Sequence, residues 1–298
     1  KIEKSGDYFF WTDFDRLCVR SQRAVSAIYK DKRFGREIPR SLKSSPPTHL
    51  EDFHRIEEHS MLEKEPPTHT RLRSLVLRAF TSRRIAQFDK ELEILCRQLI
   101  DNFSGDSVDL LPLYAQKIPI IIIARLLGVP EEMSDHLLSW SNKMVAMYQA
   151  RRTREIEIEA NTAAIEFNAY ITNYINKRRR SPKDDLLSNL ISAEEKGEKL
   201  TTAELVSTVV LLLNAGHEAT VHTLGNGIKT LIETQRAEEW VKPEVIKQTV
   251  EEIMRFDPPL HMFNRYAYQD IELFDLKIKK GQEIMLMLAA ASRDPEAL

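Results

Sequence analysis

The chain of 298 residues is long enough to bury a substantial hydrophobic core, and its formal net charge of -2 gives no overall field directed at nucleic acid. No apolar run reaches the ~20 residues that a membrane-spanning helix needs, so no membrane anchor is expected. Two cysteines, Cys18 and Cys96, are too few for a disulfide framework, and no signal-peptide pattern opens the chain, which predicts a reducing cytoplasmic location.

Helical periodicity dominates the chain and predicts one mostly helical domain over residues 1–298, mainly α with a small β region. Strands are predicted at 8–11, 271–273, 276–278 and 284–288. Helices are predicted at 85–103, 155–176, 186–195, 201–233 and 243–256. Cys96 lies within the first helical stripe, and both it and Cys18 are interpreted as small core residues.

A basic run, Lys177-Arg178-Arg179-Arg180, ends the second predicted helix. Asp184 and Asp185 follow a few residues after it, and a helix C-terminus favours cations. We therefore interpret the run as a solvated helix end. The alternative is a nucleic-acid-binding patch on a helical regulator, which the negative net charge disfavours.

The helix predicted from Thr201 is about 33 residues long, roughly 50 Å, and begins with a capping box formed by Thr201 and Glu204. Its centre, 209–213, is apolar on every side and is predicted to lie inside the protein. A polar cluster, 214–220, follows. Gly216 within it costs about 1 kcal/mol relative to alanine. The glycine indicates either close approach of a flat cofactor or tight helix packing.

Three other patterns place chemically useful side chains together. His69 and Arg73 are four residues apart behind Pro66-Pro67, so they share a helix face and suit a carboxylate, unless they form only an exposed basic face. Glu252 and Arg255 are three apart, a pair that any helix can carry. Arg265 lies further along the chain and, alone, would be an ordinary exposed strand arginine.

In this order, the motifs resemble those of the soluble bacterial cytochromes P450, the haem-thiolate monooxygenases. The run Ala215-Gly216-His217-Glu218-Ala219-Thr220 is similar to the oxygen-binding motif of that family's distal helix. Glu252-x-x-Arg255 before Phe256-Asp257-Pro258-Pro259, and Ala291-Ser292-Arg293-Asp294-Pro295, also resemble family patterns, as does 31–36. The resemblance covers essentially the whole chain.

The resemblance implies haem b (iron protoporphyrin IX) as cofactor. Ala215, Gly216 and Ala219 would form the oxygen-binding distal pocket, and Glu218 and Thr220 would be catalytic, relaying protons. Most family members carry threonine where this chain has Ala219. Because Thr220 points about 100° further round the helix, a water or a substrate hydroxyl is expected to share proton delivery.

The resemblance also implies that His69 and Arg73 bind one haem propionate and that Arg265 binds the other. Leu260 and Met262 are expected in the substrate pocket.

Glu252 and Arg255 would form a buried, structural ion pair that anchors a downstream loop. Neither Cys18 nor Cys96 has the sequence context of the axial thiolate. The cysteine ligand is therefore expected beyond Leu298, and we interpret the chain as a fragment, incomplete at both ends. It would lack the proximal cysteine loop and the C-terminal part of the fold and would be inactive alone.

The implied function is a haem-dependent monooxygenase that hydroxylates or otherwise oxidises a small apolar organic substrate. It would use O2 and two electrons from a ferredoxin and an NAD(P)H-dependent ferredoxin reductase, with no nucleic-acid partner. The alternative is a helical ligand-binding or scaffold protein that lacks oxygen chemistry. Ala219 and the absence of a ligating cysteine favour that alternative.

Overall fold

The computed structural model describes residues 6–80, 85, 88–149, 151–195 and 197–297. The chain divides into two compact units, one formed by Lys1–Ser44 with His222–Leu298 and the other by Ser45–Val221. The boundary falls within the longest helix. The interpretation of the chain as one domain stays a prediction.

Helices dominate the described residues. They are α1 (Gln22–Lys30), α2 (Glu51–Glu57), α3 (Thr68–Ala79), α4 (Phe88–Asp101), α5 (Lys117–Leu127), α6 (Ser134–Val145), α7 (Arg154–Arg180), α8 (Leu186–Ser192), α9 (Thr202–Thr234), α10 (Ala237–Trp240), α11 (Ile246–Phe256) and α12 (Leu288–Ala291). The predicted mainly helical class is confirmed. Within the described part of the chain, none of these helices combines the length and apolar character needed to span a bilayer.

Strands are short. They are β1 (Tyr8–Trp11), β2 (Arg16–Val19), β3 (Phe34–Gly35), β4 (Glu194–Glu195), β5 (Glu198–Lys199), β6 (Phe263–Ala267), β7 (Ile271–Leu273), β8 (Leu276–Ile278) and β9 (Glu283–Leu286). Three of the predicted strands, 8–11, 271–273 and 276–278, have the bounds that the sequence predicts. The small β region is therefore confirmed.

The first unit is built on a five-stranded sheet of order β1-β2-β9-β6-β3. β2 and β9 are parallel, and the other neighbours are antiparallel. Strand β6 pairs with β9 so that Arg265 lies opposite Ile284. Ile284 and Leu286 are fully buried and pack with Ile28 of α1, so this sheet and α1 share the unit's core.

The second unit is a helical body with one large core. Helix α7 contributes a stripe of fully buried side chains at Phe167, Ile171 and Ile175, spaced four residues apart. This spacing buries one face of the helix, as its amphipathic sequence predicts. Trp140 of α6 stacks on Phe167, with ring centroids 5.3 Å apart.

The capping box predicted at the start of α9 is present. The backbone N–H of Thr201 donates to Glu204 Oε2 at 2.9 Å, and the N–H of Glu204 donates to Thr201 Oγ1 at 3.2 Å. Arg71 of α3 also binds the Glu204 carboxylate. Hydrogen bonds from Arg71 and from the Thr201 backbone hold the pKa of Glu204 below its usual value, although burial opposes them. The pair therefore ties α3 to the first turn of α9.

The interpretation of the basic run 177–180 as a wholly solvated helix end is wrong for Arg178. Its side chain is only 3% exposed and donates to Asp185 Oδ2 at 2.7 Å. It also donates to the Gly128 carbonyl at 2.7 Å and to the Tyr174 hydroxyl at 2.8 Å. Arg178 lies four residues after Tyr174, on the buried face of α7, which is why it leaves the solvent while its neighbours stay exposed.

The two cysteines are free thiols. Cys18 in β2 is fully buried, and burial raises its thiol pKa to about 11, so its interpretation as a core residue is confirmed. Cys96 in α4 is only half-buried, which is less than a core residue requires. The pKa of Tyr114 is raised to about 12, mainly by burial and further by a hydrogen bond with Cys96.

Candidate functional site

Helix α3 of the second unit presents His69 and Arg73 on one face. They are four residues apart, so their side chains lie one above the other. Leu72 and Leu75, on the other side of the helix, are 2% and 0% exposed and fix α3 to the core. The two side chains line an open hollow of about 480 Å³, which is completed by Thr70, Ser74, Leu77 and Arg78. The hollow thus offers an imidazole and a guanidinium to an anionic ligand.

In the middle of α9, Ala215 and Ala219 form an exposed strip of small side chains. They lie four residues apart on one face, whereas His217 on the opposite side is 2% exposed. Glu218 is half-buried beside the strip. The prediction that 209–213 lies inside the protein holds for Val209, Val210 and Leu213, which are buried, whereas Leu211 and Leu212 are half-buried.

Gly216 packs against another helix of the same unit. A Cβ added at this glycine would lie 3.0 Å from Cδ1 of Ile123 in α5. Of the two interpretations that the sequence leaves open, this contact supports tight helix packing. The absence of a side chain at Gly216 therefore leaves room for the Ile123 side chain. The role of Gly216 in the distal pocket stays a prediction.

Replacing Gly216 by alanine is expected to lower the free energy of unfolding by about 1 kcal/mol. The new methyl group overpacks against Ile123, at a cost of ~1–3 kcal/mol, and the higher helix propensity of alanine offsets ~1 kcal/mol of that cost. Adding Ile123→Val removes the Cδ1 atom that the methyl group meets. Urea unfolding should show that Gly216→Ala is less destabilising in the Ile123→Val background than in the unaltered chain. Equal effects in both backgrounds would contradict the packing role.

The Thr220 hydroxyl donates a hydrogen bond to the carbonyl oxygen of Gly216 at 2.8 Å. Thr220 is exposed, as is Ala219. The Thr220 hydroxyl is thus held against the helix backbone. It lies one position after Ala219, whose side chain is only a methyl group. Its oxygen still has the capacity to accept a hydrogen bond from water or substrate.

Arg265 lies on β6 in the first unit, half-buried. One of its terminal nitrogens donates to the carbonyl of Asn264 at 2.9 Å. Its guanidinium carbon lies 4.7 Å from the ring centroid of Tyr29 and 5.1 Å from that of Phe263. Burial holds the pKa of Tyr29 above its ordinary value, and the positive charges of Arg265 and Arg36 oppose that shift.

The ion pair between Glu252 and Arg255 is present, but the prediction that it is buried is wrong. The two side chains are 58% and 31% exposed, and the Arg255 nitrogens donate to the Glu252 carboxylate at 2.6 and 2.7 Å. The hydrogen bond with Arg255 lowers the pKa of Glu252. Arg255 also donates to the carbonyl of Ser292 at 2.8 Å, which joins α11 to a downstream turn. An exposed pair of this kind stabilises by less than ~1 kcal/mol.

That downstream turn contains Asp294, which is 4% exposed. Its Oδ2 accepts from the backbone N–H of Gln22 at 2.9 Å, at the first residue of α1. The carboxylate therefore satisfies one donor at the helix N-terminus. This contact gives the turn a structural role within the first unit.

Leu260 and Met262 lie between α11 and β6. Leu260 is 49% exposed and Met262 is half-buried. The carbonyl of His261 between them accepts from the backbone N–H of Ala289 at 3.1 Å, which fixes the segment to α12. Their expected contact with substrate stays a prediction.

The side chains described above fit haem. Propionates are carboxylates, and arginine binds carboxylates through paired N–H donors, so Arg73 and Arg265 have suitable chemistry. The small side chains of Ala215 and Ala219 leave room for a flat ring. Cys18, with its thiol pKa near 11, lacks the thiolate character that iron ligation needs.

Sequence reasoning does not identify Tyr29, Phe263 or Arg36 as neighbours of Arg265. Tyr29 belongs to α1, and Arg36 lies in the segment after β3, so helix packing and strand pairing bring these two residues to Arg265. A signal does exist for Phe263, because it lies two residues before Arg265 and residues two apart on a strand share a face.

The chain matches known proteins over nearly all of its length. Residues 39–247 and 244–297 match the sequence model of the family described as Cytochrome P450. The polyketide biosynthesis cytochrome P450 PksS of Bacillus subtilis (strain 168) is 37% identical over 276 residues, which cover 90% of this chain and 67% of that protein. The biotin biosynthesis cytochrome P450 of the same strain is 33% identical and covers 93% and 70%.

A solved structure agrees with these matches. P450BioI in complex with an acyl carrier protein ligated to hexadec-9Z-enoic acid superposes with a TM-score of 0.90 and 30% identity, over 98% of this chain and 76% of that chain. Family model, relatives and fold thus agree with each other and with the order of the motifs. This chain belongs to the cytochrome P450 family of haem b-dependent monooxygenases.

Proposed function

We propose that this chain hydroxylates, or oxidises in a related way, a small apolar organic substrate with O2 and two electrons. The exposed strip of Ala215 and Ala219 on α9, with Glu218 beside it, is the observation that carries the proposal. Bound haem supplies the oxygen-activating chemistry. His69, Arg73 and Arg265 bind the two haem carboxylates through charge-assisted hydrogen bonds.

Glu218 takes up and releases protons at its carboxylate beside the strip. A positioned carboxyl group can act as a general acid or base when its surroundings adjust its affinity for protons. The proton of the Thr220 hydroxyl is engaged by the Gly216 carbonyl, and Ala219 has no hydroxyl. A water or a hydroxyl group of the substrate therefore completes the proton route.

The electrons come from a ferredoxin, which an NAD(P)H-dependent ferredoxin reductase reduces. Leu260 and Met262 contact the substrate, and the biosynthetic names of the two relatives support an organic small molecule. The two free thiols support a reducing, cytoplasmic location.

Replacing Glu218 by glutamine tests the proposal. In the haem-loaded protein with its redox partners, product formation should fall by roughly a hundredfold, because general acid–base catalysis contributes about that much. Hydrogen peroxide release per electron pair should rise, since oxygen that has gained two electrons but is not protonated in the productive way takes up two protons and leaves as hydrogen peroxide, without oxidising the substrate. Product and peroxide are measured together against NAD(P)H consumption.

The matched control is Glu233→Gln, which makes the same change near the end of α9, where Glu233 is 63% exposed and pairs with Lys229. It should leave product and peroxide unchanged. Unaltered coupling in Glu218→Gln would remove Glu218 from the proton route. Absence of product from a panel of apolar substrates, despite full haem loading, would favour the ligand-binding or scaffold alternative.

A further inference from the structure

Two arginines, Arg36 and Arg265, contact two aromatic rings, those of Tyr29 and Phe263, at the sheet of the first unit. The guanidinium carbon of Arg36 lies 4.1 Å from the centroid of the Phe263 ring. Arg265 lies 5.1 Å from the same ring and 4.7 Å from Tyr29. All three distances are within the ~6 Å range of cation–π attraction. We call these four residues the arginine–ring cluster.

The strand register brings two like charges together in this cluster. In the antiparallel pairing of β3 with β6, Phe34 lies opposite Ala267 and Gly35 lies opposite Tyr266. The next residue, Arg36, therefore comes next to Arg265. Like charges across neighbouring strands destabilise a sheet unless something compensates them. The ring of Phe263 supplies part of this compensation, because both guanidinium groups contact it.

The carboxylate of Glu283 lies on the other face of the sheet. Glu283 pairs in register with Tyr266, and side chains alternate along β6, so Arg265 points to the opposite face. Glu283 Oε1 accepts from Asn264 Nδ2 at 2.6 Å, and Oε2 lies 3.1 Å from Arg16. Glu283 is thus engaged by Asn264 and Arg16, and Asn264 Oδ1 in turn accepts a hydrogen bond from Arg36.

Aromatic contacts restrain an arginine differently from an acidic partner. A ring packs on the flat face of the guanidinium, whereas a carboxylate binds in its plane through two parallel N–H groups. An arginine held by rings can therefore be fixed in place and still bind a carboxylate edge-on. Tyr29 comes from α1 and Phe263 from β6, so two separate elements restrain Arg265.

We propose that Tyr29 and Phe263 are positioning residues that hold Arg265 in place to bind a haem propionate, and that Arg36 adds a second positive charge to that carboxylate site. The inference rests on the proposed role of Arg265 and deepens it. Tyr29 acts through its ring and not through its hydroxyl. The two arginines together raise the affinity for an anion beyond that of Arg265 alone.

The rate at which the haem-loaded protein transfers haem to excess apomyoglobin tests this inference. Tyr29→Leu removes the ring and should speed transfer by about two- to fivefold, which corresponds to the ~0.5–1 kcal/mol of one cation–π contact. Tyr29→Phe keeps the ring and should transfer haem at the unaltered rate. The control Trp240→Leu removes a ring 5.7 Å from Arg236 in the same unit and should have no effect.

Two further arms separate positioning from general loosening of the fold. In an Arg265→Ala background, Tyr29→Leu should cause no further acceleration. In protein reconstituted with haem dimethyl ester, which has no free carboxylates, Tyr29→Leu and Arg36→Gln should leave the transfer rate unchanged. Acceleration by Tyr29→Leu that persists in either arm would overturn the positioning role.

These variants also distinguish failure of the positioning role from failure of the propionate-binding role of Arg265, on which it rests. If Arg265→Ala transfers haem at the unaltered rate, Arg265 is not a propionate ligand, so both its proposed ligand role and the positioning role fail, whereas the proposed monooxygenase activity is tested separately by Glu218→Gln. If Arg265→Ala accelerates transfer but Tyr29→Leu does not, only the positioning role fails. Acceleration by both, without additivity, supports the cluster as proposed.

Discussion

Haem should leave the protein roughly a hundredfold faster, or more, when Arg73 and Arg265 are both replaced by alanine. Each guanidinium supplies charge-assisted hydrogen bonds to one propionate, and such bonds contribute ~1.5–3 kcal/mol each. The free energies of two independent contacts add, so their effects on haem retention multiply. Each 1.4 kcal/mol that is lost corresponds to a factor of ten. Transfer to apomyoglobin gives the rate, and pyridine haemochromogen absorbance gives the haem content after purification.

A matched double variant controls for the loss of two positive charges. Arg97→Ala with Arg236→Ala removes one exposed arginine from each unit, and their side chains are 73% and 58% exposed. Arg97 pairs with Glu93 on its own helix, and Arg236, directly before α10, pairs with Glu239 of that helix, so haem retention should not change. If the Arg73 and Arg265 double variant retained haem as well as this control, the assignment of both propionate ligands would be wrong.

Local sequence signals predict those parts of the fold that depend on near neighbours. The capping box of Thr201 and Glu204 requires only residues three apart, and its two hydrogen bonds are present. Strands β7 and β8 form a hairpin whose bounds follow from alternating residues, and Phe274 and Asp275 in the turn both have positive φ. By contrast, β3 has no counterpart in the sequence prediction, because its pairing partner β6 lies more than 200 residues away. Strand β2 is also absent from the sequence prediction, although it pairs with the nearby β1 as well as with the distant β9.

The error at Arg178 has a physical reason and a signal that could have corrected it. Four consecutive basic residues look solvated as a group, yet a helix distributes consecutive residues over all its faces. Extending the buried stripe of α7 from Phe167 through Ile171 and Tyr174 leads directly to Arg178. A charge on that stripe predicts a buried partner, and Asp185 is available just beyond the helix end.

For the candidate site, motifs predict which side chains share a helix face but not what each face contacts. His69 with Arg73, and Ala215 with Ala219, share faces because they are four residues apart. The contact between Gly216 and Ile123 depends on how α5 packs on α9, which no local pattern specifies. The contact between Tyr29 and Arg265 depends in the same way on how α1 packs on the sheet. The exposure of Glu252 likewise does not follow from its spacing to Arg255.

A buried network around Asp185 makes the second unit sensitive to a single change. The carboxylate accepts from Arg178, and it also accepts from the backbone N–H of Ser188 at 2.8 Å, which caps α8. Gly128 has a φ of 74°, and a Cβ at this position would lie 2.2 Å from Asp185 Oδ2. The glycine therefore allows the close approach that the carboxylate needs.

Replacing Asp185 by alanine should lower the free energy of unfolding by about 3–5 kcal/mol, because it leaves the buried Arg178 charge without its partner and removes the cap of α8. Asp185→Asn keeps an oxygen that can cap the helix and should be less destabilising. Arg180→Ala, an exposed change in the same basic run, should alter stability by less than ~0.5 kcal/mol. Combining Arg178→Met with Asp185→Leu removes both charges and should recover much of the loss. Urea unfolding midpoints decide the series, and an Asp185→Ala protein as stable as Arg180→Ala would show that the network contributes nothing to folding.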